Sequence, residues 1–191
     1  MNNESLREKW DALYRDAQVG TPARVLLENA HLLPPRGDGL DIACGMGANG
    51  FFLVERGLCV EAWDVSPIAI EKINGLAAQR CLDIKGVTKD VVVQPPAVQR
   101  FDVIVVAHYL ERSLFASLIA ALRPEGLLFY QTFTRARVDD AGPRNEAYRL
   151  ADNELLQLCA PLRLLVYREE GTVGDTSRGF RNLALLVGQK R

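Results

Sequence analysis

Between residues 39 and 133 the chain alternates short apolar, β-branched runs with amphipathic ones, and this alternation limits the possible folds more than any other feature. A strand that hands over to a helix and then to another strand implies parallel strands joined by right-handed crossovers. The resulting sheet is covered on both faces, a doubly wound α/β arrangement. The expected strands are 39–43, 58–63, 84–89, 101–106 and 126–133. The expected helices are 48–56, closed by Gly57, one begun by Ser66-Pro67, and 113–122. Proline suits the first position of a helix because its missing N–H is unpaired there in any residue. The run FDVIVV at 101–106 is the strongest strand, apolar and β-branched.

The flanks read differently. Leu6, Trp10, Leu13, Tyr14 and Ala17 fall at helical spacing and make one apolar face. A second helix is expected from Thr21-Pro22 to about Leu33, stopped by Pro34-Pro35. After residue 133 a loop runs through 134–151, long enough to carry a function of its own. A short helix at 153–159 follows. The runs 162–168 and 182–188 have no helix between them and read as an antiparallel hairpin. With 191 residues, the expectation is a single domain, 1–191, in which 1–33 are N-terminal helices that cover the site.

In an open sheet of this kind ligands bind outside the carboxyl ends of the strands. The first strand ends there in Asp41-Ile42-Ala43-Cys44-Gly45-Met46-Gly47-Ala48-Asn49-Gly50. Asp64 closes the next strand about 20 residues further on, where an acidic residue can accept hydrogen bonds from ribose hydroxyls. Asp90 follows the third strand, with Asp83 as its competitor. Gly45, Gly47 and Gly50 satisfy G-x-G-x-x-G, so a dinucleotide such as NAD is one reading. Asp41 argues against it: a carboxylate at the lip of the glycine loop is badly placed beside a pyrophosphate and well placed beside an ammonium. Asp41 at an amine, Asp64 at a ribose and Asp90 at an adenine amine describe S-adenosylmethionine.

The segment LDIACGMGANGFFLVERGLCVEAWDVSPIAIEKI resembles the cofactor-binding half of the class I S-adenosylmethionine-dependent methyltransferases. FDVIVV and LIAALRPEGLLFYQTF are similar to the later motifs of that family, so the resemblance covers residues 38–133. It implies a seven-stranded, mostly parallel sheet in the order 3-2-1-4-5-7-6, with strand 7 antiparallel. The pair G-x-G-x-N and V-x-A-W-D is similar to the tellurite-resistance type of small-molecule methyltransferase. That type's substrate-side sequence is absent beyond Asp64, so its substrate is not carried over. Glu125 stands where the family's P-G-G turn has its first glycine.

By this resemblance Asp41, Gly45, Gly47 and Asn49 would hold the methionine moiety, Asp64 and Val65 the ribose, and Asp90 with Val91 the adenine. Ala107 and His108 would border the transferred methyl group. Two readings stand for His108: a base or binding group for the acceptor, or a histidine that merely ends its strand. Tyr109 and Arg112 share that ambiguity, and Tyr14 is either a packing residue or part of a lid. The segment 131–149 carries Arg135, Arg137, Arg144 and Arg149 among Asp139, Asp140 and Glu146: it is either a solvated loop or a cover whose arginines, Arg135 first, would suit an anionic acceptor. The implied activity is methyl transfer to a small molecule. The alternatives are a non-catalytic S-adenosylmethionine-binding sensor or assembly protein and an NAD-binding oxidoreductase. A net charge of −1 and a pI near 6.2 remove the basic field of a dedicated nucleic-acid binder. No apolar run approaches the ~20 residues of a membrane span. The start MNNESLREKWD lacks a signal sequence's apolar core, so the expected location is cytoplasmic. The four cysteines form no C-x-x-C, so no metal site is expected. Oligomeric state has no signature in the sequence.

Overall fold

A computed structural model describes residues 3–191, apart from the side chains of Asn3 and Leu6. Seven strands form one sheet: β1 (Gly37–Ile42), β2 (Leu58–Asp64), β3 (Ile84–Thr88), β4 (Phe101–Ala107), β5 (Leu122–Phe133), β6 (Arg163–Glu169) and β7 (Leu183–Gln189). Their order is β3-β2-β1-β4-β5-β7-β6. The first five are parallel, and β7 runs antiparallel to both β5 and β6. The expected topology, hairpin included, is present.

The helices are α1 (Asn3–Tyr14), α2 (Arg24–Glu28), α3 (Ala48–Val54), α4 (Pro67–Arg80), α5 (Phe115–Ala121) and α6 (Glu154–Leu158). One face of the sheet is covered by α2, α3 and α4, whose Leu26, Phe52, Leu53 and Ile73 pack with Val103, Val105 and Phe129. The other is covered by α5 and α6, through Phe115, Leu118 and Leu155 against Ile104, Val106 and Leu128. Residues 103–106 of β4 are fully buried, because β4 lies between two strands and under helices on both faces. That explains its unbroken apolar sequence. None of the described helices is long and apolar enough to cross a membrane.

Three expectations need correction. The helix placed at 21–33 is the short α2 followed by a 3₁₀ turn at Ala30–Leu32, and Thr21-Pro22 lie outside it. Its first N–H groups are satisfied from afar rather than by a local cap: Ala23 N–H donates to Asn49 Oδ1 at 2.9 Å and Val25 N–H to Gln131 Oε1 at 3.0 Å. Asn29 then ends it by returning its amide to Val25 O at 2.9 Å. In α1, Leu13 is 58% exposed and so does not belong to the packed face, Ala17 falls beyond the helix end, and the Leu6 side chain lies outside the described residues. The helix placed at 113–122 begins as a 3₁₀ turn at Arg112–Leu114 and stops at Ala121. Leu122 already pairs with Phe101, and the register shifts before Val103 meets Leu127.

Candidate functional site

The turn after β1 is held in an uncommon backbone conformation. Ala43, Gly45 and Gly47 all have left-handed φ, at 51°, 51° and 78°. A side chain is strained in that region. Space is tight as well: a Cβ on Gly45 would lie 3.0 Å from the Tyr14 hydroxyl, and one on Gly47 3.0 Å from Ile73, so those side chains would have to give way.

Two buried carboxyl groups anchor this turn. Asp41 is inaccessible to solvent; its Oδ2 accepts from Gly50 N–H at 2.9 Å and its Oδ1 faces Asn49 Nδ2 at 3.5 Å. Burial pushes its pKa up to about 7, against those two hydrogen bonds, and the charge of Asp64 adds to the rise. Asp64 accepts from Gly45 N–H at 2.9 Å and from Ser66 N–H at 3.0 Å, linking the turn to the start of α4. Burial raises its pKa too, while those backbone donors oppose the shift. Neither carboxyl group has an ion-pair partner among the described residues. Buried anions without a countercharge are costly; holding a proton relieves the cost, and so would a cationic ligand.

Beside Asp64, a cleft of about 230 Å³ opens between Val65, Lys89, Asp90, Gln94 and Arg7. Asp90 accepts from Val92 N–H at 3.0 Å, shaping the cleft's own turn. Its competitor Asp83 lies at the opposite end of the sheet, 2.8 Å from the exposed Cys59 thiol. The Val91 side chain is buried in the cluster with Trp63, and Val93 lines the cleft.

Helix α1 lies across this end of the sheet. Ser66 Oγ donates to Asp11 Oδ1 at 2.5 Å. Lys72 Nζ donates to the carbonyls of Tyr14, Arg15 and Ala17 at 2.9, 2.6 and 3.2 Å, which closes the C-terminus of α1. The Tyr14 ring stacks on Trp10, and burial together with Asp64 and Cys44 raises the Tyr14 pKa.

Ala107 ends β4, and His108 follows in the left-handed region at φ 57°. The His108 ring lies 5.2 Å from the Phe133 ring and its Nε2 lies 3.3 Å from Gln131 Nε2. His108 is exposed on its outer side, and partial desolvation of the ring where it meets Gln131 and Phe133 lowers its pKa. The Tyr109 pKa is pushed up to about 12, by burial first and then by Glu111, Asp90 and Asp64, which ties its ring electrostatically to the carboxyl groups of the cleft. Arg112 does not join this group. It pairs with Glu154 at 2.6 Å and donates to Ala147 O and Arg149 O, bracing the segment before α6. Arg135 is exposed, near enough to Glu154 to help lower that carboxyl's pKa.

The sequence reading missed Gln131, and it grouped Arg149 with the acceptor-facing arginines of its loop, whereas the fold buries it. Gln131 is a lone amide in the apolar run of β5 and is buried; a polar residue at such a position is the signal that could have found it. Arg149 is 1% exposed, and its guanidinium donates to the carbonyls of Thr134, Ala141 and Pro143. Nothing in the local sequence distinguishes it from Arg135, Arg137 or Arg144.

Residues 40–126 match the family described as "Methyltransferase domain". A curated relative, 2-heptyl-1-hydroxyquinolin-4(1H)-one methyltransferase of Mycobacteroides abscessus, is 31% identical over 90 residues, 41% of this chain and 40% of the relative. The chain thus spans well under half the length of that protein. Among solved structures, TehB from Haemophilus influenzae superposes with a TM-score of 0.73 at 20% identity, over 97% of this chain and 67% of that one. Geranyl diphosphate C-methyltransferase from Streptomyces coelicolor, solved with Mg²⁺, geranyl diphosphate and S-adenosyl-L-homocysteine, gives 0.72 at 14% identity, over 99% and 98%.

Proposed function

We infer that this chain, whose residues 40–126 match the methyltransferase-domain family and whose sheet has the seven-stranded order described above, is an S-adenosylmethionine-dependent methyltransferase acting on a small molecule. The observation that carries the reading is the pair of buried carboxyl groups without a countercharge beside a left-handed glycine turn where a Cβ would be crowded. A zwitterionic, amine-bearing ligand fits that pair; a dinucleotide would set its pyrophosphate beside Asp41. Asp41, Gly45, Gly47 and Asn49 would hold the methionine end, Asp64 and Val65 the ribose, and the cleft at Asp90 the adenine.

When bound, the cofactor supplies an activated methyl group on a sulfonium leaving group. The chain's own residues then have to exclude water and hold the acceptor in line, which alone can account for most of a large rate gain. Tyr14 on α1 covers the glycine turn, and Tyr109, His108 and Phe133 form the wall after β4 and β5. A net charge of −1 supports a small acceptor over a nucleic acid.

The test is isotope-labelled methyl transfer from S-adenosylmethionine into a small-molecule extract, with Gly47→Val as the control. Methylated product with the wild-type chain and none with a folded Gly47→Val is expected. Binding of S-adenosylhomocysteine without transfer to any extract would identify a binding protein instead, and binding of neither would overturn the reading.

A further inference from the structure

The geometry points to Gln131 as a positioning residue: it fixes His108 as the neutral tautomer protonated on Nδ1, so that His108 serves the acceptor as a hydrogen-bond donor and not as a base. This rests on the reading of His108 as a residue of the acceptor wall. The argument begins at a backbone group. Val25 N–H belongs to the first turn of α2, where no carbonyl of the helix can accept it. It donates to Gln131 Oε1 at 3.0 Å. An N–H cannot reverse its role, so this bond determines which end of the amide is oxygen. The amide NH₂ is therefore the end that faces His108 Nε2, at 3.3 Å. A donor facing a ring nitrogen requires a lone pair there. A proton on Nε2 would set two donors against each other across this part-buried contact, in which the Gln131 amide is 2% exposed and so has little water to turn to instead. The proton consequently sits on Nδ1.

The same contact opposes the imidazolium, which would carry protons on both nitrogens. Partial desolvation acts on the ring in the same direction, and no charged side chain shifts its pKa. The Phe133 ring and the left-handed backbone at His108 hold the imidazole against Gln131. Neither nitrogen is then free to take a proton from the acceptor: Nε2 is engaged and Nδ1 is occupied. An Nδ1–H can still donate to an acceptor atom that bears a lone pair or a negative charge. The acceptor class this favours is one that arrives with its reactive pair exposed, as an ionised oxygen or sulfur acid or an unprotonated nitrogen. For an anionic acceptor the balance closes without a base. The S–CH₃ bond breaks with its electron pair staying on sulfur, the new bond forms from the acceptor's pair, and no proton is released.

Nitrogen-15 NMR of the imidazoles tests this without any methyl transfer. The chain has only two histidines, His31 and His108, so a His31→Asn variant assigns them. The wild-type chain is expected to show neutral His108 with Nδ1 protonated and Nε2 bare. Gln131→Glu keeps an oxygen for Val25 N–H and presents a second oxygen to His108. It should move the proton to Nε2 and raise the His108 pKa by at least one unit. An Nε2–H tautomer in the wild type would overturn the proposal, as would a Gln131→Glu chain whose tautomer and pKa are unchanged. If Gln131→Glu fails to fold, the wild-type spectrum decides alone. Failure of the methyltransferase reading would show instead as absent cofactor binding with the His108 spectrum as expected.

Discussion

Asp41 shows how much one side chain can hold in this site. Its folded pKa of about 7 lies above the ordinary carboxylate range because burial disfavours its charge. The folded chain therefore binds the Asp41 proton more tightly than the unfolded chain does. The stability this contributes is complete below about pH 4 and is lost as the pH rises to about 7. A cationic amine beside Asp41 reverses the preference, so cofactor binding near neutral pH should release a proton. Affinity for S-adenosylhomocysteine should climb from pH 5.5 toward 7 and then level off. Calorimetry in two buffers of different ionisation heat would read that release directly. Asp41→Asn should bind at least ~10-fold more weakly, a loss of ~1.4 kcal/mol, with the pH dependence and the released proton both gone. An unchanged proton count in Asp41→Asn would place the titration elsewhere. The positions of Asp41 and Asp64 toward the carboxyl ends of β1 and β2 were legible in the sequence because their spacing follows from strand and turn geometry. Gln131 and Arg149 were not, because their roles come from partners brought close only by the fold.

At the level of elements, the parallel core could be read from alternation alone, and its strand bounds moved by only a residue or two up to β4. The N-terminal helices could not. Residue Thr21 followed by Pro22 has the form of a helix start, yet α2 draws its first acceptors from Asn49 and Gln131, far away in sequence. The irregular start of β5, where the register shifts, gives a cleaner test of local backbone chemistry. Glu125 is exposed and sits at φ 65°, while its N–H donates to Lys190 O at 3.0 Å. A side chain in the left-handed region costs about 1 kcal/mol or more. Glycine removes that strain and gives back part of the gain through its freer unfolded chain. Glu125→Gly should therefore raise the stability by about 0.5–1 kcal/mol, or a Tm shift of roughly 1–4 °C in a chain of this size. Scanning calorimetry showing a lower Tm would mean that this segment is not strained.

Considered as a whole, the molecule places its proposed chemistry at one end of the sheet and its main ion-pair network at the other. Arg100 and Arg123 join Asp38, Glu61 and Asp102 at the amino ends of the strands. A ligand gripping the carboxyl ends would touch the turns after β1, β2 and β3 and the lid α1 together, and so should stabilise the chain as one unit. S-adenosylhomocysteine at 100 times its Kd should add about 2.7 kcal/mol, visible as a single shifted thermal transition, whereas NADH should leave the Tm in place. The reverse result would favour an oxidoreductase. The loop after β5 has a different logic. Arg149 laces it together through the carbonyls of Thr134, Ala141 and Pro143, groups that any residue at those positions would provide. The shape of the loop is thereby uncoupled from most of its side chains. Selection, or a designer, could rewrite Arg135, Arg137 and Arg144 without rebuilding the backbone that carries them.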